Sequence, residues 1–428
     1  VTAGLSHPAE RAGVAPVEAA QAEGVRLLVP AKDVADPEVS IVVPALDEEL
    51  TIEEFVAWCH EGLRRAGVVG EILIVDSSND STADLALAAG ARVLKTPKRG
   101  LGRAYIDAIP FIRGSYVIMG DADCTYDFRE LGPFVEKLRV GYEFVMGSRW
   151  RGSIEPGAMP FLHRYLGTPL TTRILNVLYS SHFSDIHCGM RAISRDALER
   201  MRIGSQSWEY ASEMVLKSIR MQLRTSEVPV HFLKDRNGRV SHHRRAGWFS
   251  PWQAAWINLR AMFTYGADFF VLWPGLTLFA LGLLLTLPLS GGPITLGPIT
   301  FSLYWMLAGL TLATLGLQCF YFGCIAQVLY DYTGTARKRW LRLFSYDRTV
   351  LAAATAAALG VGLTLPLIVT YFERGLSLPT RVTAIHHLAV TGVLLVIIGF
   401  TTFTFTLLLN AAAALRGEKE GADGSRAA

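Results

Sequence analysis

Charge is what this chain has least of, and the shortage is local. Only 18% of its 428 residues are Asp, Glu, Lys or Arg, against about 25% in a typical soluble domain. None of those charges falls between Phe269 and Tyr330. A soluble domain of about 200 residues joined to a membrane domain fits this asymmetry better than one large globule. Net charge is only +3, so the overall balance gives no support to a nucleic-acid partner. The five cysteines, Cys59, Cys124, Cys188, Cys319 and Cys324, show neither a paired framework nor zinc-ligand spacing. That usage suits a reducing compartment. The first 36 or so residues carry no long apolar run and do not read as a signal peptide. A flexible arm is the expectation for 1–36.

What is present begins at Val39. VSIVVPA, GEILIVD, ARVLKT, SYVIMGD and YEFVMGS read as buried strands. Helical stretches near 51–66, 81–89, 101–112 and 129–139 separate them. Apolar runs alternating with helices predict an α/β domain built on a mixed, mostly parallel sheet. Ligands of such sheets sit at the carboxyl ends of the strands. Three of those ends are acidic here: Asp47-Glu48-Glu49, Asp76 and Asp121-Ala122-Asp123.

After Ser250 the pattern changes. Apolar segments near 269–289, 301–326, 349–372 and 387–415 each reach the roughly 20 residues that cross a bilayer as a helix. The turn-rich SGGPITLGP makes the first two an antiparallel hairpin. The link between the second and third spans carries Arg337, Lys338, Arg339, Arg342 and Arg348. An excess of basic residues marks the cytoplasmic side, which places the soluble domain and the C-terminus there. Ahead of the first span, Trp248, Trp252, Trp256, Leu259, Met262 and Phe263 share one helical face, as an interface helix requires. Lys234, Arg236, Arg239, Arg244 and Arg245 precede it, as a surface near anionic lipid needs. A second amphipathic stretch covers about 161–180. The expected organisation is thus an arm over 1–36, a soluble catalytic domain over 37–245, an interface helix over 246–267, a four-span domain over 268–415 and a tail over 416–428. Interface helices and membrane hairpins would permit a symmetric homo-oligomer.

Asp121 and Asp123 carry the clearest chemistry. Positions i and i+2 of an extended chain point the same way, so two carboxylates converge into a hard-oxygen site for Mg²⁺ or Mn²⁺. A metal there would bridge a diphosphate and neutralise charge on a departing nucleotide. Asp76 could accept a hydrogen bond from a base N–H. Gly100 and Gly102, in KRGLG before a helix, would let backbone approach a ribose or phosphate. His187, Cys188, His242 and His243 have the wrong spacing for zinc.

IVVPALDEE, IVDSSNDST, KRGLGRA, GDADCTYDF, GSRW and SDIHCGMRA occur in this order. The chain resembles the family 2 glycosyltransferases of the GT-A fold, and among them the dolichyl- and polyprenyl-phosphate sugar synthases. The resemblance covers about 39–245 and the C-terminal spans. It implies that Pro44, Ala45 and Glu48 line the nucleotide, that Asp76 contacts the base and that Asp121 and Asp123 bind the metal. It further implies that Arg149 faces the acceptor phosphate, that Arg164 and Thr168 hold that phosphate, that Asp185 lies near sugar and acceptor, and that Glu213 stands behind the donor site. Three departures stand out: Ser77 replaces the second acid of the paired-Asp motif, Thr125 stands where related synthases often have Gln, and KDRNGRVSHH matches only loosely the basic segment beyond the last strand.

The expected partners are a nucleotide-diphosphate sugar, a polyprenyl-phosphate lipid and the membrane, with no nucleic acid. The family's direct displacement would invert the anomeric centre. A phosphate monoester is anionic at neutral pH, its second pKa being about 6, so its oxygen can attack without a side chain first removing a proton. Asp185 is open to three readings: a base, a sugar-hydroxyl ligand or a structural cap. Two rival functions are a processive polysaccharide synthase and a non-catalytic lipid carrier or scaffold. The first generally carries Q-x-x-R-W, whereas Ala336 occupies the Gln position ahead of Arg339-Trp340. Intact Asp121, Asp123 and Arg149 speak against the second.

Overall fold

The computed structural model describes residues 24–161, 163–179, 181–236, 266–377 and 382–427, with Trp256, Arg260 and Phe263 singly between them. The arm up to residue 23, most of the interface helix over 246–267, and Arg239, His242, His243, Arg244 and Arg245 lie outside the described residues. The chain divides into two units, Val1–Met262 and Phe263–Ala428.

The first unit is an eight-stranded sheet with helices packed against it. Its strands are β1 (Arg26–Leu28), β2 (Val39–Ala45), β3 (Gly70–Asp76), β4 (Arg92–Lys95), β5 (Tyr116–Met119), β6 (Phe144–Ile154), β7 (Arg191–Ser194) and β8 (Thr225–Phe232). Their order is β1-β4-β3-β2-β5-β7-β6-β8. Strands β4, β3, β2 and β5 run parallel, β7 is antiparallel to both neighbours, and β8 pairs parallel with β6. The parallel strands are buried almost throughout, because helices leave neither face to water. Val, Ile and Leu fill them for that reason.

The helices are α1 (Ile52–Ala66), α2 (Thr82–Ala88), α3 (Leu101–Ala108), α4 (Gly132–Arg139), α5 (Thr168–Tyr179), α6 (Arg195–Met201) and α7 (Tyr210–Arg220). In α1, Ile52, Phe55, Val56, Cys59 and Leu63 fall on one buried stripe, the spacing of an amphipathic helix. Glu53 and Glu54 open it, Arg64 and Arg65 close it, and each sign suits its end of the helix dipole. Gly67, at φ +63°, ends it in the left-handed region. A π-helical turn, His163–Gly167, precedes α5.

One expectation needs correcting. The described end of the arm, from residue 24 on, is docked: β1 pairs antiparallel with β4, and Asp33 takes a two-pronged hydrogen bond from Arg113. Arg113 in turn donates to Glu71, a buried acid that also accepts from Ser40 and Arg92. A carboxylate buried at the amino end of β3 needs several donors, and one of them reaches out to fasten the N-terminal segment.

The second unit holds four helices long and apolar enough to cross a membrane: α8 (Ala267–Thr286), α9 (Leu303–Leu329), α11 (Tyr346–Glu373) and α12 (Ala384–Ala427). Between α9 and α11 lies the short basic helix α10 (Thr335–Leu343). The link between α8 and α9 is more ordered than a turn, because β9 (Ile294–Leu296) and β10 (Ile299–Phe301) pair across Gly297-Pro298. The tail expected at 416 is also modified, since α12 continues as helix to Ala427.

Contact between α8 and α9 is made through glycine. Gly309, Gly316 and Gly323 recur every seven residues on α9, facing Gly282, Phe279 and Leu272 of α8. Lipid gives apolar side chains no reason to leave it, so close backbone approach over small residues has to supply the attraction. A Cβ on Gly316 would collide with the backbone of Phe279, whereas a Cβ on Gly362 of α11 would meet nothing within 4 Å. Gly316→Ala is therefore expected to destabilise the membrane unit by about 1–3 kcal/mol through overpacking. Gly362→Ala should be neutral or slightly stabilising. Thermal unfolding of both variants in detergent, read against the unsubstituted protein, checks the contrast.

Candidate active site

Register brings the polar residues together. Ala45 of β2 lies opposite Asp76 of β3, and Asp76 opposite Lys95 of β4. Strand β5 stops at Met119, level with Val42, so Gly120 to Asp123 runs on along the carboxyl edge. Pro44, Ala45, Glu48, Asp76, Asp121 and Asp123 thus come from three strand ends in one row.

Hydrogen bonds fix the loops. Asp47, at φ +54°, donates its N–H to Ser78 Oγ at 2.7 Å, and the Glu48 N–H reaches Thr82 Oγ1 at 3.0 Å. The buried Thr51 hydroxyl bridges the Glu48 carboxylate at 3.2 Å and the Ala122 carbonyl at 3.1 Å. One side chain therefore ties the loop after β2 to the residue between the two acids. Asp123 Oδ1 accepts from the Thr125 N–H at 3.0 Å and the Thr125 hydroxyl at 2.6 Å. The chain then turns sharply at Cys124, φ +58°. Asp121 Oδ2 lies so close to Gly189 that a Cβ there would strike it. Gly189 donates its N–H to Tyr126 Oη at 2.9 Å, and Tyr105 Oη donates to the Gly120 carbonyl at 3.0 Å. Burial pushes the Tyr105, Tyr126 and Tyr210 phenols up, and the charge of Asp121 adds to it. These phenols stay protonated: Tyr105 donates to the acidic loop, while Tyr126 accepts from Gly189.

Two carboxylates on one loop suit Mg²⁺ or Mn²⁺, which take one or two protein carboxylates and leave further positions to phosphate oxygens and water. The donor chemistry of Asp121 and Asp123 fits such an ion. His187 and Cys188 do not build a zinc site: Cys188 is buried and its thiol is pushed up to about 12, mainly by burial. His187 Nε2 lies 2.9 Å from Thr171 Oγ1. All five cysteines are free thiols.

Other predicted residues are engaged differently from expectation. Asp76 is fully buried, and its carboxylate is taken by Lys95 Nζ at 2.9 Å and the Ser78 N–H at 3.2 Å. It thereby seats a lysine at the strand end. Gly100 and Gly102 do leave room for backbone, but the backbone filling it is protein. A Cβ on either would strike the carbonyl of Gln206 or Ser205. Glu213 holds that same loop, accepting from the Gly204 N–H at 2.9 Å, the Ser205 N–H at 2.7 Å and Lys217. Burial raises its carboxyl, but Lys217 and these donors outweigh burial and hold it below the ordinary value.

The largest revision concerns Arg149 and Asp185. They form one two-pronged ion pair, Nε to Oδ2 at 2.6 Å and Nη2 to Oδ1 at 2.8 Å, with the side chains 8% and 0% exposed. The Arg149 guanidinium also sits 5.4 Å from the Phe232 ring centre. Burial alone would raise the Asp185 carboxyl, yet the Arg149 hydrogen bonds and charge hold it below its usual value. A carboxylate so stabilised is a poor base near neutrality. Arg149 thus turns Nε and Nη2 of its fork toward Asp185. In this structure the acid is the partner of Arg149. Arg164 lies in the π-helical turn and Thr168 opens α5, where Thr168 is buried and Arg164 half-buried.

Lys95, Thr51, Ser78, Tyr126 and Gly189 were not singled out from sequence. Lys95 ends an apolar strand, a visible signal. Its partner became evident only with the β3–β4 register.

Residues 40–202 match glycosyl transferase family 2, and 324–413 match the family 2 C-terminal transmembrane region. The chain is 36% identical over 311 residues to the low-salt glycan biosynthesis hexosyltransferase Agl6 of Haloferax volcanii, covering 72% of this chain and 73% of that protein. A dolichyl-phosphate hexose transferase of the same organism is 28% identical over 177 residues, 41% of this chain and 75% of that one. Among solved structures, glucosyl-3-phosphoglycerate synthase of Mycobacterium tuberculosis, in complex with phosphoglyceric acid, aligns at 22% identity with a TM-score of 0.40, covering 60% of this chain and 85% of that one.

Asp185→Asn would leave Arg149 buried without a counter-charge, at a cost of about 3–5 kcal/mol. Because the folded-state carboxyl lies below its unfolded value near 3.8, its contribution is complete above about pH 4. It is lost only as pH falls further, through the folded value. Thermal unfolding from pH 7 down to pH 3 should show a large gap between the two proteins at pH 7. The gap should begin to narrow only toward the acid end, as the carboxyl takes up its proton.

Proposed function

Given that this chain belongs to glycosyltransferase family 2, we propose that it moves a hexose from a nucleotide-diphosphate sugar onto a polyprenyl monophosphate, inverting the anomeric centre. The observation that carries this reading is the paired acids Asp121 and Asp123 on the carboxyl edge, joined through Thr51 to the Glu48 loop. The printed activities of the two Haloferax relatives, one a hexosyltransferase and one acting on dolichyl phosphate, lend it support.

In this reading Asp121 and Asp123 hold Mg²⁺ or Mn²⁺, which when bound supplies positive charge to the donor's diphosphate. The chain's own groups do the rest. Pro44, Ala45 and Glu48 line the nucleotide, with Glu48 positioned by Thr51 and Thr82. Tyr105, Tyr126 and Gly189 hold the acidic loop in place. Arg164 and Thr168 orient the acceptor phosphate, and a guanidinium's fork suits such an anion. A phosphate oxygen attacks the anomeric carbon, the bond from that carbon to the diphosphate oxygen breaks, and the nucleoside diphosphate leaves. No side chain has to remove a proton first, which agrees with Asp185 being committed to Arg149. Bringing two anions together in a fixed orientation is the main catalytic demand.

The chain is a membrane protein with four apolar helices. The basic link between α9 and α11 supports a cytoplasmic position for that loop, for the catalytic unit and for the C-terminus, in the cell's inner membrane. The Arg339-Trp340 pair, part of a chain-capping motif in processive synthases, has another use here. Gln327 Oε1 accepts from Arg339 Nη2 at 2.5 Å and from Trp340 Nε1 at 2.9 Å, and Trp340 packs among Leu317, Tyr321 and Phe405. The pair anchors α10 within the membrane unit.

The test is a transfer assay with a panel of nucleotide-sugars and short polyprenyl phosphates, with Mg²⁺, with Mn²⁺ and with chelator. Transfer should require the ion, and Asp121→Asn and Asp123→Asn should each lower it by about a hundredfold or more, a loss of roughly 3 kcal/mol in transition-state stabilisation. Full activity in both variants, or in chelator, would refute the reading.

A further inference from the structure

The short basic helix α10 is folded back against the spans that it connects. Asp331, just past the end of α9 and 5% exposed, accepts from the Thr333 N–H at 3.1 Å and the Arg337 N–H at 2.7 Å. These bonds turn the chain into the helix. Trp340 then enters a cluster formed by Leu272 of α8, Leu317, Tyr321 and Cys324 of α9, and Phe405 of α12. Its ring lies 5.9 Å from that of Phe320, and the Phe344 ring lies 6.4 Å from it. Phe320 stands nine residues before the end of α9, about 13 Å of helix. On that stretch Phe322 and Leu329 are exposed apolar side chains, so lipid reaches the last turn of the span. A helix whose rings contact the span so far from its end lies at the bilayer boundary, where the headgroup layer is about 5–8 Å deep.

The two sides of α10 differ in chemistry. Trp340 and Phe344, one turn apart, share the docked side with Ala336 and Leu341. Lys338 and Arg342, also one turn apart, stand on the opposite side with Arg339 beside them, and all three are exposed. Arg348, in the first turn of α11, is exposed as well. Among the described residues, no ion pair engages Lys338, Arg342 or Arg348. Asp347 is the only exposed acid between 331 and 348. Arg339 donates to Gln327 Oε1 and lies over the Trp340 ring, which fixes its charge beside the span. On a soluble domain such a row of cations would simply be hydrated. Here its neighbours are apolar: Leu343 is 63% and Tyr346 47% exposed. Cations beside exposed apolar side chains, held at the ends of two spans, match a surface with a hydrocarbon interior and anionic oxygens at its edge.

We infer that α10 and the first turn of α11 form a binding site for the headgroups of anionic phospholipids in the leaflet they face. Lys338, Arg339 and Arg342 donate to phosphate oxygens, a task for which the guanidinium fork is suited, while Leu343 and Tyr346 meet the acyl chains. The ligand is a bulk lipid of the bilayer, so the site stands independently of the substrates proposed above. Trp340 packs against α8, α9 and α12 at once. Headgroups held on α10 therefore clamp the packed ends of three spans.

The experiment uses the full chain in vesicles of equal parts phosphatidylglycerol and phosphatidylcholine. The protein is extracted in mild detergent, and the phospholipid that stays bound is quantified by class. The unsubstituted protein should retain phosphatidylglycerol over phosphatidylcholine by about fivefold or more. The double variant Lys338→Gln/Arg342→Gln should bring that ratio close to one, and each single variant should lower it about twofold. Unfolding temperature in phosphatidylcholine alone should not change, because both side chains are exposed. The charge-preserving double variant Lys338→Arg/Arg342→Lys should keep the enrichment. So should Arg64→Gln/Arg65→Gln, which removes two exposed cations from α1 of the soluble unit. Undiminished enrichment in Lys338→Gln/Arg342→Gln, or none in the unsubstituted protein, overturns the site. An equal loss in the α1 variant also overturns it, since net charge then accounts for the effect. About a tenfold excess of a short polyprenyl monophosphate over phosphatidylglycerol should leave the bound phospholipid in place. Displacement would assign these cations to a substrate phosphate and overturn the inference.

Discussion

A carboxylate buried at the end of a strand must be matched by a cation or by several N–H and O–H donors, because removing it from water otherwise costs several kcal/mol. That constraint organises the functional edge of this protein. Asp76 is matched by Lys95, Asp185 by Arg149, and Glu213 by Lys217 with two backbone amides. Each pair pins a different stretch of chain: a strand end, the floor beside β6, and the loop that packs on Gly100 and Gly102. Asp121 and Asp123, on the loop after β5, are the acids to which the metal chemistry is assigned in the proposed function.

The division of labour among the acids changes how the reaction is understood. A site rich in carboxylates invites a search for a general base, and Asp185 is the natural suspect. Its partner removes it from contention, since a carboxylate stabilised by a two-pronged guanidinium binds a proton weakly. The phosphate nucleophile proposed above would need no such base. The demands that remain are electrostatic and geometric, and the surroundings serve them. Two buried, protonated tyrosines, Tyr105 and Tyr126, and the Thr51 bridge hold the acidic loop without adding charge of their own.

The membrane unit solves a different problem with different means. Apolar side chains there have no water to escape, so glycine at seven-residue spacing lets α8 and α9 touch along their backbones. Polar side chains are spent sparingly. Gln327 serves both Arg339 and Trp340, and Tyr321 reaches Thr402 at 2.7 Å while stacking on Phe405.

Sequence by itself determined the parallel strands, the helices between them, the four spans and the loop bearing Asp121 and Asp123. These follow from hydrophobic periodicity and from the length of apolar runs, both local properties of the chain. Family resemblance named Arg149 and Asp185, and the glycines of KRGLG stood out by themselves, but neither reading carried the contacts that these residues make within the protein. Only the tertiary structure decided those contacts. Whether an acid is a ligand or half of an ion pair depends on what lies opposite it. Lys95 reaches Asp76 across a strand register, Arg149 reaches Asp185 across 36 residues, and the backbone at 205–206 fills the space that the two glycines leave open. Side-chain identity sets which charges a chain must bury, and three-dimensional pairing sets which of them remain for chemistry.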